Sequence, residues 1–459
     1  MEANNAAKDT SLSSSINELT LESSYHSIES IESKINKLSF EFQYNNYEKA
    51  NSKDWVFSGI SLYSCILLAG LGMQSFDNNG YNQIFKTLNS PGGRTKTTTD
   101  DTVFNNLKTS IQDDIRSKFQ SMENRLTIPS SSSSSSRSRA RSTETDPEKV
   151  QLVFSHSAWR RQGTASFKDS YIQLISNNFS NFHVSEFTKI EEINDFVKEK
   201  TRGKIPNLLE TSDPSSFCLI SAIYFKGKWA NPFKVHMTKN VLFDKTAPCS
   251  LMEQTNNFNY YSTNKYQAIA LPYKCRGTNL DLRAVIILRD NKIKDNEDET
   301  SVGTSNDNDN NDYMNVIWQE LYSNLKDDVT TSKYGTIKFP RFKATKETNL
   351  VEFMKNQLNI IDIFTTPNCF HEMFDPYPSD GVLVDQVKQV AVIECDEHGT
   401  EAAAATVMSM RGACMPSTKS IEFEMICDHP FEFFIVDFGS DSGLQLFGGH
   451  ITNKSIVLE

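Results

Sequence analysis

The order of the apolar segments is the feature that most constrains the fold of this chain. Residues 60–73 are apolar on nearly every side and predict a buried helix, whereas residues 103–120 show the spacing of an amphipathic helix. Residues 164–177 and 191–200 are further helix candidates. Runs rich in β-branched and aromatic residues, typical of strands, follow at residues 217–229, 282–288, 382–394, 431–436 and 444–447. Helices early and antiparallel-type strands late, with no βαβ alternation, predict a mixed α+β domain.

Three low-complexity segments are expected to lie outside the core: a tail at residues 1–34 and internal segments at about residues 127–149 and 290–312. The second segment contains an unbroken serine run, and the third is rich in Asp and Asn. Such compositions cannot bury enough apolar surface to offset the entropy lost on ordering, so we expect disorder in all three. The rest of residues 35–459 is predicted to form one domain with two insertions.

Charge and composition exclude several classes of function. A formal net charge of −11 argues against specific nucleic-acid binding and against a membrane partner, since both favour basic surfaces. No run approaches the ~18 apolar residues of a membrane span. The first residues have neither a basic start nor an apolar run, so we predict no signal peptide and a cytoplasmic location, with unconventional release left open. The eight scattered cysteines lack CxxC pairs and predict reduced thiols.

Two short patterns resemble pieces of catalytic or metal sites. Residues 439–443 are similar to a serine-protease nucleophile motif centred on Ser442, but the following glycine and the accompanying histidine and aspartate segments are missing. Cys369, His371 and Glu372 are too few for a metal site. We therefore predict that the protein is not an enzyme, with no catalytic residue, no metal and no cofactor.

Residues 397–416 carry the strongest functional signal. By propensity alone they predict a surface helix, because the alanine run favours helix and Thr400 suits a cap. As a strand with period two, the segment has an uncharged row from Thr400 to Gly412, and both charges, Glu401 and Arg411, fall in the other row. It therefore suits a central strand with one face against the core and one towards solvent. A segment that alternates between loop and central strand is a switch.

The same segment carries a resemblance to a known family. Residues 397–406 look like the hinge of inhibitory serpins, and the resemblance runs from about Ile35 to the end, interrupted by the two insertions. Residues 225–229 are similar to the strand end at which the serpin loop first inserts. Other matching motifs lie at residues 56–61, 193–197, 203–205, 271–274, 429–433 and 446–449.

The resemblance implies a fold and a mechanism. The serpin fold is α+β, with helices packed around a large mixed β-sheet, two smaller sheets and an exposed reactive-centre loop. A target protease of the serine or cysteine type cuts the loop and becomes acylated. The cut loop then enters the main sheet as a new strand and drags the protease with it. The protein would thus be an irreversible suicide-substrate inhibitor and a monomer.

The resemblance also assigns site residues. Trp229 would lie where the loop first inserts. The cluster through which the sheet opens would consist of Ser58, Ser61, Ser221 and Gln389. The hinge would comprise Glu397, Gly399, Thr400, Glu401, Ala402, Ala403, Ala404, Ala405 and Thr406. Gly399 would let it bend, because glycine has a free φ.

The sequence departs from the serpin pattern at three positions. Gly59 replaces the usual proline near the start of the central helix, which predicts a looser helix start because glycine does not preorganise it. Ser221 replaces an asparagine and Gln389 replaces a histidine. Because Gln389 is a longer donor and Ser221 a shorter acceptor, we expect their hydrogen bond to survive without a titratable group.

Counting from the hinge Glu397 over the loop length of inhibitory relatives places the scissile bond at Ala413–Cys414. The alternative is Arg411–Gly412, where the arginine would bait a trypsin-like protease. Cleavage there would shorten the strand that must insert before the acyl bond hydrolyses.

A second reading is a serpin that has lost inhibition and acts as a chaperone, carrier or protease decoy. Such relatives tend to carry bulky, charged or proline residues in the hinge. Here Thr400, Ala402, Ala404 and Thr406 are small and uncharged. The hinge therefore favours inhibition.

Overall fold

A computed structural model describes residues 30–49, 54–73, 79–89, 98–126, 150–163, 165–210, 216–276, 278–289, 308–327, 331–400 and 419–458. The tail up to residue 29 and the segments 127–149 and 290–307 lie outside these ranges. The disorder expected for them therefore stays a prediction.

The helices largely follow the sequence pattern. The predicted buried helix is confirmed, since every residue of Gly59–Gly70 is buried. The helix predicted at residues 164–177 begins later, because Ser166–Phe167 pairs as a short strand before the helix starts at Asp169. The α-helices of the described residues are α1 (Ile31–Lys49), α2 (Gly59–Gly70), α3 (Asn79–Asn89), α4 (Thr98–Leu126), α5 (Asp169–Asn178), α6 (Ile190–Lys200), α7 (Asn308–Lys326), α8 (Val351–Asn356) and α9 (Asp362–Thr365).

The strands form a nine-stranded, a six-stranded and a two-stranded sheet. They are β1 (Trp55–Phe57), β2 (Gln151–Arg161), β3 (Ser166–Phe167), β4 (Phe182–Phe187), β5 (Phe217–Lys228), β6 (Lys239–Phe243), β7 (Ala247–Ser262), β8 (Tyr266–Pro272), β9 (Leu282–Arg289), β10 (Ser332–Pro340), β11 (Phe342–Asn349), β12 (Phe374–Asp375), β13 (Gln386–Cys395), β14 (Gly399–Thr400), β15 (Phe423–Ile426), β16 (Phe431–Asp437) and β17 (Leu444–Ile451).

The topology is that of a mixed α+β domain. The nine-stranded sheet has the order β1-β17-β16-β9-β8-β7-β10-β15, with β6 added on β7. The six-stranded sheet has the order β11-β13-β14-β5-β2-β4, and β12 pairs with β3. The predicted architecture of helices around a large mixed sheet with two smaller sheets is confirmed. The six-stranded sheet is the one that contains β14, the start of the predicted hinge.

The six-stranded sheet is buried on both faces. Odd-numbered residues of β5, such as Leu219 and Ile223, pack in the main core with α2. Even-numbered residues such as Ile220 pack in a second cluster under Ile193 and Val197 of α6. This explains why residues 217–229 read as an unbroken apolar run. No helix in the described ranges is long and apolar enough to cross a membrane.

Three further predicted boundaries are wrong. The strand predicted from residue 382 begins at Gln386, because the N–H groups of Val382 and Val384 donate to the carbonyls of Pro367 and of Ile363 in α9, not to β5. The predicted tail overlaps α1, whose Ile31 is already buried in the core. The predicted insertion at residues 290–312 overlaps α7, which begins at Asn308, since a helix anchored by its apolar part extends at little cost into polar residues.

Candidate functional site

The hinge segment is already inserted at one end of the six-stranded sheet. Thr400 of β14 lies opposite Cys395 of β13 and also opposite Gly227 of β5, antiparallel to both strands. Beyond this point β13 and β5 pair directly and in parallel, from Gln386↔Cys218 to Val392↔Tyr224. We call this direct ladder the seam. The hinge thus parts the two strands at one end while the seam keeps them closed over the rest.

Aromatic side chains hold the inserted hinge. Thr400 is fully buried, and its hydroxyl lies 2.6 Å from that of Tyr273. The Tyr273 ring stacks on Trp229, with ring centroids 4.6 Å apart. Trp229 donates from Nε1 to the carbonyl of Asp396 and from its backbone N–H to the carbonyl of His398, each at 2.9 Å. Trp229 therefore contacts the hinge at the position where the resemblance expects the loop to enter.

Gly399 is required by a close approach of two backbones. A Cβ at this position would lie 2.0 Å from the carbonyl oxygen of Gly227 and 2.8 Å from Cα of Lys228. The sequence predicted that Gly399 supplies a bend through a free φ. In the uncut protein its lack of a side chain is what lets β14 pair with β5.

Glu397 anchors the chain just before the inserted strand. Its carboxylate accepts hydrogen bonds from Nε and Nη2 of Arg341 at 2.7–3.0 Å, and a further one from the Thr238 hydroxyl. Burial opposes ionisation of this side chain, but the hydrogen bonds and charge of Arg341 outweigh it and hold the pKa of Glu397 below its usual value. The pair fixes the hinge to the connection between β10 and β11.

We expect Glu397→Gln to loosen the hinge. The substitution removes the charge that Arg341 faces, and hydrogen bonds to charged groups are worth about 2 kcal/mol. The midpoint of thermal unfolding should fall by several degrees. Glu424→Gln is the matched control, because the Lys338–Glu424 pair lies on the surface, with the Glu424 side chain 51% exposed, and should change stability by less than about 0.5 kcal/mol. Equal effects of the two substitutions would contradict the anchoring role of Glu397.

The four residues of the predicted sheet-opening cluster are all buried, with Ser221 and Gln389 in the seam and Ser58 and Ser61 at the start of α2. Gln389 donates from Nε2 to the carbonyl of Ser58 at 2.7 Å and accepts from the Ser58 N–H at 3.0 Å. The Ser58 hydroxyl donates to Leu446 and accepts from the N–H of Ser61 at the start of α2. The Ser61 hydroxyl is buried and has no hydrogen-bond partner among the described residues.

The predicted bond between Gln389 and Ser221 is wrong. The two residues face each other across the seam, but both ends of the Gln389 amide are satisfied by the backbone of Ser58. The Ser221 hydroxyl instead lies 2.9 Å from Nδ1 of His156 on β2. The partner of Ser221 is therefore a titratable group, contrary to the expectation of a bond without one. Sequence reasoning missed His156 because it did not recognise β2 as a strand.

The glycine at the start of α2 has a steric reason. A Cβ at Gly59 would lie 2.3 Å from Oγ of Ser39 and 2.5 Å from the carbonyl oxygen of Ile35, both on α1. The close packing of α1 on α2 therefore leaves no room for the proline that the family pattern has here. The looser helix start expected from Gly59 remains a prediction.

We expect His156 to make stability fall in acid. Burial lowers the pKa of His156 to about 3, so the unfolded chain binds a proton below about pH 6.5 that the folded protein does not. The contribution of neutral His156 to the free energy of unfolding is therefore fully present above pH 6.5 and is lost progressively as the pH falls towards 3. Between pH 7 and pH 5 the wild type should lose about 2 kcal/mol more than His156→Leu. Parallel denaturation curves of the two proteins over this range would contradict the assignment.

The remaining predicted loop residues lie outside the described part of the chain. They are Glu401, Ala402, Ala403, Ala404, Ala405, Thr406, Arg411, Gly412, Ala413 and Cys414. Their roles therefore stay predictions.

The residues of the two rejected patterns have other contacts. Ser442 lies in the turn between β16 and β17, and its carbonyl accepts from the Trp318 indole. The ring of His371 packs at a tilt against that of Tyr377, and Glu372 lies 3.8 Å from Lys168. Within the described ranges no three His, Cys, Asp or Glu side chains are grouped to hold a metal ion.

Comparison with known sequences identifies the family. A sequence model described as "Serpin (serine protease inhibitor)" matches residues 33–454. The chain belongs to the serpin family, which is one of protease inhibitors rather than of enzymes.

Similar proteins come from distant organisms. Serpin B11 of Mus musculus is 32% identical over 299 residues, which cover 62% of this chain and 70% of that protein. An uncharacterized serpin-like protein of Methanosarcina mazei is 32% identical over 252 residues, and the match spans only about half, 53%, of each chain. Leukocyte elastase inhibitor of Bos taurus is 31% identical over 252 residues, covering 53% of this chain and 61% of that protein.

Solved serpin structures share the fold. Serpin48 of the insect Tenebrio molitor has a TM-score of 0.63 at 18% identity, covering 93% of this chain and 98% of that one. The native thermophilic serpin tengpin has a TM-score of 0.65 at 19% identity, covering 92% and 93%. At these identities the likeness establishes the fold.

Proposed function

We propose that this protein is an irreversible suicide-substrate inhibitor that traps a serine or cysteine protease by inserting its cut loop into the six-stranded sheet. The observation that carries the proposal is the pairing of β14, which starts a new antiparallel strand between β13 and β5. The closed seam lies directly ahead of it. A strand that already separates β13 from β5 at one end could extend between them once the seam opens and the cut supplies free chain.

The loop sequence matches the gap that it would fill. Because β14 is antiparallel to both neighbours, each further loop residue faces a residue one earlier on β5 and β13. We call the uncharged row from Thr400 to Gly412 the inner row. Between positions 402 and 408 its one polar residue would then meet the polar pair of the seam, Ser221 and Gln389, and its other residues would meet apolar pairs. The expected sets are Ala402 with Phe225 and Ile393, Ala404 with Ile223 and Ala391, Thr406 with Ser221 and Gln389, and Met408 with Leu219 and Val387.

The other row would not face solvent throughout, which corrects the sequence expectation. The same register sets Ala403, Ala405 and Val407 against the face of the sheet that α6 covers. Small and apolar residues suit that space. Glu401 and Arg411 would fall towards the two ends of the inserted strand, away from the centre of α6.

Insertion is favourable once the loop is cut. Each added ladder bond contributes roughly 0.5–1.5 kcal/mol, and the inner row also buries apolar surface. In the uncut protein the loop is tethered at Thr400 in β14 and near β15, where the described chain resumes at Lys419. The tethers keep the favourable state out of reach until a protease cuts between them.

We further propose that the scissile bond is Ala413–Cys414, with Arg411–Gly412 as the alternative. Ala413 would suit a small substrate pocket, and cleavage there leaves a longer strand to insert. We also propose that the protein acts as a monomer without a cofactor. A cytoplasmic location, which we propose as well, agrees with the free thiols of all seven cysteines in the described ranges. A non-inhibitory role as chaperone, carrier or decoy is the outcome if no protease is trapped.

Thr400→Arg should convert the inhibitor into a substrate. Thr400 is already buried between β13 and β5 in the uncut protein. An arginine there would be buried without a partner at a cost of several kcal/mol, so it should expel β14 and remove the start from which the cut loop would insert. Glu401→Arg is the matched control, because its neighbours in the same register would be the half-exposed Lys226 and Glu394. Against a panel of serine and cysteine proteases, we expect an SDS-resistant complex from the wild type and the control. If Thr400→Arg yields as much complex as the wild type, the proposed insertion is refuted.

The peptide released with that complex identifies the bond. Intact-mass analysis should detect a C-terminal fragment beginning at Cys414. A fragment beginning at Gly412 would show that Arg411 is the bait.

A further inference from the structure

The polar cluster at the centre of the six-stranded sheet is divided into two halves. Ser221 and Gln389 face each other directly across the seam. Ser221 bonds away from it to His156 on β2, and Gln389 bonds away from it to the backbone of Ser58 before α2. At its centre, therefore, the seam is crossed by the backbone ladder and not by a bond between these two side chains.

We propose that His156 is a positioning residue for sheet opening, which it serves by holding the Ser221 hydroxyl on the β2 side of the seam. β2 and β5 then move as one body, and β13 stays with α2 as the other. The inference rests on the proposed function, because sheet opening matters only if a loop inserts. It assigns a role to a residue that the family pattern did not mark.

The surroundings of His156 fix its ring. The residue is 2% exposed, and its ring neighbours those of Phe154 and Phe182, whose centroids are 6.1 Å and 5.2 Å away. The backbone N–H of His156 donates to Asn181 before β4. A neutral ring packed in this way presents a single nitrogen to Ser221, which is what orienting one hydroxyl requires.

The division of the cluster lowers the cost of opening. If Ser221 were bonded to Gln389, parting β5 from β13 would leave two buried polar groups without partners, which is expensive. Here both side chains keep their partners as the strands separate, because each partner moves with its own half. Opening then breaks the ladder of the seam alone.

The test uses His156→Leu, because leucine has about the volume of histidine but no ring nitrogen that could bond Ser221. The freed Ser221 hydroxyl should turn to Gln389 across the seam, so insertion should slow. We expect the ratio of cleaved inhibitor to covalent complex to rise about fivefold, the effect of one hydrogen bond. Adding Ser221→Ala to His156→Leu should restore the wild-type ratio, and His156→Gln, whose amide reaches Ser221, should preserve it.

Thermal unfolding separates positioning from mere support. A structural role would lower the unfolding temperature of His156→Leu without changing the ratio, and that result would overturn the proposal. A double variant whose ratio stays as high as that of His156→Leu would overturn it as well.

Hydrogen exchange of the uncut wild type provides a test without variants or protease. Amides of the seam should exchange faster than those of the β2–β5 ladder, and the reverse order would contradict the division.

These outcomes are distinct from failure of the proposed function. If the wild type traps no protease, the suicide mechanism fails. The exchange pattern of the uncut protein still decides whether β2 and β5 form one body.

Discussion

The seam between β5 and β13 is the contact on which the rest of the structure depends. These strands pair in parallel over residues 218–224 and 386–392, and a parallel pair is slightly less stable per residue than an antiparallel one. At one end the chain has already replaced it with two antiparallel contacts through β14. The sheet thus contains both the closed arrangement and the beginning of the arrangement that would succeed it.

The contacts around the seam fall into two groups, those at the end where β14 lies and those that join each side of the seam to its own neighbour. The Glu397–Arg341 pair and the stack of Tyr273 on Trp229 fix the end at which a strand enters. The bonds of Gln389 to Ser58 and of Ser221 to His156 fix each side of the seam to its own neighbour. The apolar core covers both faces of the sheet on either side of the closed seam, and the proposed insertion would place the small residues of the loop there.

Much of this was predictable from the sequence, and the failures have physical causes. Elements buried on most sides, such as α2 and β5, were recognised because their apolar runs leave little choice. Polar strands such as β11, whose residues are mostly exposed or half-exposed beyond Ala344, give no such pattern. The hinge was predicted by resemblance, and only its first residues, up to Thr400, lie in the described part of the chain. The contact of His156 with Ser221, 65 positions away, was missed because β2 was not recognised as a strand, and the direction of the Gln389 amide cannot be read from its position in the chain.

In the proposed mechanism, the uncut protein withholds a more stable arrangement that cleavage of the loop releases. Nicking the loop with a non-target protease and comparing thermal unfolding before and after tests this directly. We expect the nicked protein to melt at a clearly higher temperature, because the loop would complete the strand that β14 begins. A nicked protein that melts at the same temperature or lower would contradict it.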